Sequence, residues 1–146
     1  MEKSLTLLQS LQQAFNCTEI DIKTYSPLTL AYIGDGIYDV IIRTIVVERG
    51  NRAANGLHKT TSSFVNAGTQ SAMIEAVASE LTEEEMAVYK RGRNAKSYTM
   101  AKNATVVDYR KATGFEALMG YLYLMNDCER AIALVKLALE RIGMKL

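Results

Sequence analysis

Leu30-Ala31-Tyr32-Ile33-Gly34-Asp35-Gly36-Ile37-Tyr38 lies inside a long apolar segment, and the reading of that segment decides the fold. It follows Ser26-Pro27, a helix start with serine as cap and proline in the first turn. The pattern predicts a helix from about Leu28 to Glu48, stopping near Gly50. Leu30, Ile33, Ile37, Val40, Ile41, Ile42, Ile45 and Val46 cannot share one stripe at 3.6 residues per turn, so this helix is expected to be buried on all sides. In a chain of 146 residues, a helix so apolar points to a partner subunit covering part of the surface. A homodimer is the expectation.

Working outward, most of the chain repeats at helical period and β-branched alternation is scarce. Leu5, Leu8 and Leu11 suggest a short first helix. A third helix is predicted over Leu57 to Ser79. Thr82 followed by Glu85 is a capping box that starts a fourth, ending near Gly92. From Arg93 to Lys111 the apolar period vanishes, which predicts a loop. A fifth helix is expected from about Thr113 to Met125, apolar all round through Phe115, Leu118, Met119, Leu122, Leu124 and Met125. Asp127 caps a sixth with apolar positions Ala131, Leu134, Val135, Ala138, Leu139 and Ile142, and Gly143 is its stop. No repeat or linker interrupts the pattern. The expectation is one all-α domain over residues 1–146.

Net charge is +1, so nucleic-acid binding would have to come from local clustering. The two cysteines, Cys17 and Cys128, form no CxxC, which argues against a thiolate zinc site and for free thiols. A single histidine, His58, excludes a His-pair metal site within one chain. The N-terminal stretch lacks the pattern of a cleaved leader, and no apolar run reaches the roughly 18–20 residues of a membrane span. A soluble, cytoplasmic protein with no membrane role is expected.

Two acids stand out. Asp35 sits between Gly34 and Gly36, each costing about 1 kcal/mol of helix propensity relative to alanine. Two such glycines imply either close backbone approach or a need for open space beside the carboxylate. Asp39 and Arg43 continue one stripe with Asp35 at i+4 and i+8. Glu116 is the only acid in the apolar run from Thr113 to Met125. A carboxylate in an apolar surround pairs, takes a proton or binds a metal. If the two acids converge, oxygen donors with retained waters suit magnesium. Spacing alone favours a structural role, Asp35 pairing with Arg43 or capping a neighbouring helix and Glu116 pairing with a lysine.

The densest cationic segment is Lys90-Arg91-Gly92-Arg93-Asn94-Ala95-Lys96-Ser97, extended by Lys102, Arg110 and Lys111. Seven positive residues between Lys90 and Lys111 stand against Asp108 alone. The bland reading is a solvated loop. The local, one-signed charge instead favours phosphate contact, with Asn94 and Ser97 adding polar groups. Only Tyr98 and Tyr109 are available for stacking, so duplex backbone contact is preferred to single-strand binding. His58 and Lys59 open a second polar cluster, His58 to Ser63, placed by this reading at a helix start where a phosphate would fit. The ordinary alternative for His58 is a solvated or capping residue.

The Leu30–Tyr38 stretch resembles the signature helix of ribonuclease III catalytic domains, with its Leu-Gly-Asp core. Phe115-Glu116-Ala117-Leu118-Met119-Gly120 resembles the second family motif, in which a glutamate precedes Ala-Leu-Ile-Gly. The Arg91–Ser97 and Leu57-His58-Lys59 segments are similar to the Mini-ribonuclease III branch, which has the catalytic domain without a double-stranded RNA-binding domain. The likeness spans roughly residues 25 to 142.

This resemblance implies an all-helical homodimer packed through the signature helix, with Asp35 and Glu116 as catalytic magnesium ligands, manganese substituting. It implies cleavage of double-stranded RNA to 5′-phosphate ends and maturation of large-subunit ribosomal RNA precursor. RNA contacts would come from His58, Lys59, Lys90, Arg91, Arg93, Asn94, Lys96, Ser97 and Lys102. Three acids of the full-length family are replaced here by Leu28, Ala31 and Thr113. That points to one well-held ion, or a second held mainly by water and phosphate, with Asp39 and Thr113 as candidate outer contacts. The missing acids also leave room for a non-catalytic RNA-binding module on the same fold.

Overall fold

The computed structural model describes residues 4–18, 20–96 and 105–146, and among these every regular element is helical. The chain runs through α1 (Leu7–Ala14), a 3₁₀ turn (Ile22–Thr24), α2 (Pro27–Arg49), α3 (Ala54–Phe64), α4 (Ala67–Val77), a second 3₁₀ turn (Ala78–Glu80), α5 (Glu83–Asn94), α6 (Val106–Leu124) and α7 (Cys128–Arg141).

The start signals act as local chemistry requires. Ser26 Oγ accepts the Thr29 amide at 3.1 Å, with Pro27 in the first turn of α2. Thr82 and Glu85 form the reciprocal capping box of α5. Asp127 accepts the Arg130 amide at the head of α7, and Gly143 takes up a left-handed φ of +73° beyond its end.

Two boundaries differ from expectation. The single helix foreseen over Leu57–Ser79 is two, α3 and α4. Asn66 makes the break: its Oδ1 accepts the Thr69 amide, while its Nδ2 donates to the Ser62 and Ser63 carbonyls. One side chain thus closes α3 and opens α4. The loop foreseen over Arg93–Lys111 is also shorter, because α5 continues to Asn94 and α6 begins at Val106, where Thr105 caps the Asp108 amide.

α6 is the axis of the fold, packed against α2, α4, α5 and α7. Its residues from Ala112 to Tyr123 are buried except Glu116 and Tyr121, which are half-buried, so the expectation of burial all round holds here within one chain. Phe115 meets the Tyr38 ring edge-on, at 5.1 Å between centroids and 84° between planes. The buried Tyr38 hydroxyl donates to the Phe64 carbonyl at 2.7 Å, tying α2 to the end of α3.

α2 is not buried on all sides. Leu30, Ala31, Gly34, Tyr38, Ile42 and Val46 face the core, whereas Leu28, Tyr32, Val40 and Val47 remain exposed, Tyr32 to 83%. Its apolar surplus lies on an outer face that the described residues leave exposed. At the far side, the buried Glu85 receives two Arg130 hydrogen bonds of 2.9 Å, which hold its carboxyl below the ordinary range. Structural ion pairing of a buried acid therefore falls on Glu85, not on Asp35.

Candidate active site at the crossing of α2 and α6

Two glycines set the distance between α2 and α6. A Cβ on Gly34 would lie 1.6 Å from the Glu116 carbonyl oxygen, and a Cβ on Gly120 would lie 2.0 Å from the Leu30 carbonyl oxygen. Each helix thus presents a bare Cα to the other's backbone. Gly36 is the opposite case, with nothing within 4 Å of an added Cβ. The two glycines flanking Asp35 answer different needs: Gly34 allows contact, and Gly36 leaves space.

That contact brings Asp35, one residue after Gly34, against Glu116. The two carboxyl groups lie within hydrogen-bond reach, Asp35 exposed and Glu116 half-buried. Burial first, then the hydrogen bond to Asp35 and its charge, push the Glu116 pKa up to about 8. Among the described residues the alternative pairings do not form: Arg43 holds Asp39 at 3.0 Å, and Lys111 pairs with Glu75.

The raised value has a thermodynamic consequence. Between its ordinary pKa of 4.5 and about 8, folded Glu116 keeps a proton that the unfolded chain releases. Its contribution is fully present below the lower value and is lost as pH rises through the upper one. In chelator, the melting temperature of the wild-type protein should fall relative to Glu116→Gln as pH goes from 5 to 9. Parallel melting curves across that range would show that the acid pair is not strained.

The site residues read from the sequence fall into three groups. Asp35 and Glu116 meet. Lys90, Arg91, Arg93, Asn94 and Lys96 gather at the C-terminal end of α5, which docks beside them on α6. There Gly92 sits so close that a Cβ would lie 2.7 Å from Ala117 Cβ, 2.9 Å from Gly114 Cα and 3.3 Å from the Thr113 carbonyl. These residues flank Glu116 in sequence, so the end of α5 packs on the turns of α6 that carry it. Lys90, Arg91, Asn94 and Lys96 are exposed, while Arg93 stacks over Tyr89 at 5.6 Å and donates to Asn94. Ser97 and Lys102 lie outside the described residues.

The remaining residues are placed differently from expectation. α3 begins at Ala54, so His58 and Lys59 are exposed one turn inside it and not at its start. The hydroxyls of Thr61, Ser62 and Ser63 bond back to the carbonyls of Leu57, His58 and Lys59, so they do not form a helix-start phosphate cradle. Asp39 is engaged by Arg43. Thr113 is buried, and its hydroxyl donates to the Tyr109 carbonyl at 2.9 Å.

Gln70 escaped the sequence reading. It is a buried polar residue on α4, on the same stripe as Met73, Ile74 and Val77. Its amide lies beside Glu116 and favours the ionised carboxylate, yet its Nε2 makes no formed hydrogen bond. A polar residue at a core position of a helix was the available signal.

The donor set fits a hard divalent cation. It offers carboxylate oxygens, an opening on the Asp35 side, and a proton held where a double positive charge would be welcome. Among the described residues no third His, Cys, Asp or Glu joins the pair, so the other ligands would be water and substrate oxygen.

An all-helical fold with two carboxylates meeting where its central helices cross defines a class that comparison makes specific. Residues 28–127 match the model of the Ribonuclease III domain. The chain is 50% identical over 124 residues to Mini-ribonuclease 3 of Clostridium tetani, covering 84% of this chain and 82% of that one. It is 42% identical over 140 residues to Mini-ribonuclease 3 of Thermoanaerobacter, covering 96% and 97%. A crystal structure of a Fusobacterium nucleatum protein superposes with a TM-score of 0.76 at 31% identity, covering 84% of this chain and 99% of that one. This chain therefore belongs to the ribonuclease III family, in its Mini-ribonuclease 3 branch, and is an endoribonuclease.

Proposed function

We propose that the protein is a magnesium-dependent endoribonuclease that cleaves double-stranded RNA, with Asp35 and Glu116 as the catalytic pair. The observation that carries this is the meeting of the two carboxylates where α2 crosses α6. Magnesium, or manganese in its place, supplies activation of the attacking water and charge stabilisation at the phosphate. Asp35 and Glu116 orient that charge at the scissile bond, which breaks to leave a 5′-phosphate and a 3′-hydroxyl. Lys90, Arg91, Arg93 and Lys96 hold the duplex backbone, and Asn94, Ser97, Lys102, His58 and Lys59 supply further RNA contacts. Recognition then follows A-form shape and 2′-hydroxyls more than sequence.

The branch resemblance extends the proposal to a cytoplasmic role in maturing large-subunit ribosomal RNA precursor. Among the described residues, no helix is long and apolar enough to cross a membrane. The exposed outer face of α2, with Tyr32, Val40 and Val47 around the open Gly36, supports a homodimer joined through this helix.

Incubation of duplex RNA with and without magnesium tests the activity. Cleavage confined to the magnesium arm, with 5′-phosphate ends, is expected; binding without cleavage in both magnesium and manganese would leave a non-catalytic RNA-binding module. The grip is tested separately. Replacing Arg91, Arg93 and Lys96 together with alanine should lessen the slope of log affinity against log salt by about 2 to 3, since each phosphate contact contributes close to one unit. An unaltered slope would remove the α5 end from the RNA surface.

A further inference from the structure

We propose that Gln70 is a positioning residue that donates a hydrogen bond from Nε2 to the Glu116 carboxylate when a divalent cation occupies the site, fixing the orientation in which Glu116 binds it. This inference rests on the metal reading of Asp35 and Glu116.

Gln70 is only 4% exposed, and its Nε2 is the one buried side-chain nitrogen or oxygen among the described residues without a hydrogen-bond partner. Leaving a buried donor unpaired costs about 1–3 kcal/mol, so such a group calls for a partner present in another state of the protein. α4 packs directly on α6, and the Gln70 amide lies beside the Glu116 carboxylate. Glu116 lies within reach of both the Asp35 carboxyl and the Gln70 amide, yet Gln70 Nε2 forms no hydrogen bond of good geometry. When both carboxylates turn their charge to a cation, one Glu116 oxygen remains for a second contact. An amide N–H supplies it with no added charge. A lysine there would compete with the ion, and an acid would add repulsion. Ligands of this kind are typically held by a buried partner, whose loss lowers metal affinity or activity about 10–100-fold.

Gln70→Met keeps the length and lack of branching while removing the amide. The expected results are an ion-free melting temperature equal to or above wild type, and Mn²⁺ affinity by calorimetry weaker by about tenfold or more. The kcat for duplex cleavage should fall in step while KM for RNA stays within twofold, a split that a loosened fold would not produce. Gln70→Glu, whose ionised carboxylate cannot donate, should bind Mn²⁺ no more tightly than Gln70→Met, and it carries the comparison if the methionine variant does not fold. Wild-type Mn²⁺ affinity and kcat in Gln70→Met would overturn this inference and leave the metal site standing. Tighter binding in Gln70→Glu than in wild type would also overturn it, by showing that residue 70 faces the ion itself. Absence of Mn²⁺ binding by the wild-type protein would overturn both readings together.

Discussion

Asp35→Asn should lower the rate of duplex cleavage under saturating magnesium by about 10³-fold or more, while duplex affinity measured in chelator stays within twofold. The size follows from what the substitution removes: one of the two carboxylates that meet at the site, with no third among the described residues, and with it the charge that would hold a divalent cation in place. Loss of a single fixed group that stabilises transition-state charge already costs about 10²–10³-fold, and loss of the cation adds to that. Binding is spared because the cationic side chains belong to α5, a different helix from the one that carries Asp35. The ion-free protein should change in the opposite sense. An asparagine amide can donate to ionised Glu116, and the opposing charge is gone, so two of the causes that raise the Glu116 pKa disappear. The variant should therefore be more stable than wild type at pH 9 in chelator, and should gain little from added Mn²⁺. Cleavage at the wild-type rate would remove Asp35 from the reaction whatever the variant's stability.

The elements were readable from the chain to the extent that their signals are local. Ser26-Pro27, the Thr82–Glu85 box, Asp127 and Gly143 each act within one turn of backbone, so a spacing rule captures them. The break at Asn66 is local too, but apolar residues lie on both sides of it, Phe64 and Val65 before and Ala67 after, so the hydrophobic pattern does not mark it. The start of α6 was hidden for the converse reason. Its first turns, Val106 to Lys111, lie at the polar end of the helix and carry charge, so they lack the apolar period that marks the rest. The site was less legible. Asp35 and Glu116 are 81 positions apart, and each was conspicuous only as an acid in apolar company. Their meeting depends on how closely two helices cross, a property of Gly34 together with Gly120 that neither residue reveals alone. Gln70 was less visible still, because its role comes from a third helix packed against that crossing.

Gly34→Ala tests that crossing and should be the most damaging single methyl group in the protein. The added Cβ would lie 1.6 Å from the Glu116 carbonyl oxygen, 2.6 Å from its carbonyl carbon and 2.7 Å from the Gly120 amide nitrogen. All three are backbone atoms of the central helix, so no side-chain rotamer relieves the overlap and α2 must withdraw from α6. Alanine gains about 1 kcal/mol of helix propensity, whereas overpacking of a close core contact costs about 1–3 kcal/mol and more where the backbone must move. Here the backbone must move, so the steric term wins, and a net loss of about 3 kcal/mol or more is expected, a large share of a domain's stability. Gly36→Ala, two residues along the same helix, is the internal control. It meets nothing within 4 Å, so propensity acts alone and folding stability should rise by about 0.5–1 kcal/mol. If a second copy of α2 packs on this face, the same methyl should weaken the dimer, read by sedimentation as a shift toward monomer at fixed concentration. Chemical denaturation of both variants separates the two roles. A Gly34→Ala protein as stable as wild type would mean that the helices do not cross so closely, and the meeting of Asp35 with Glu116 would lose its structural cause.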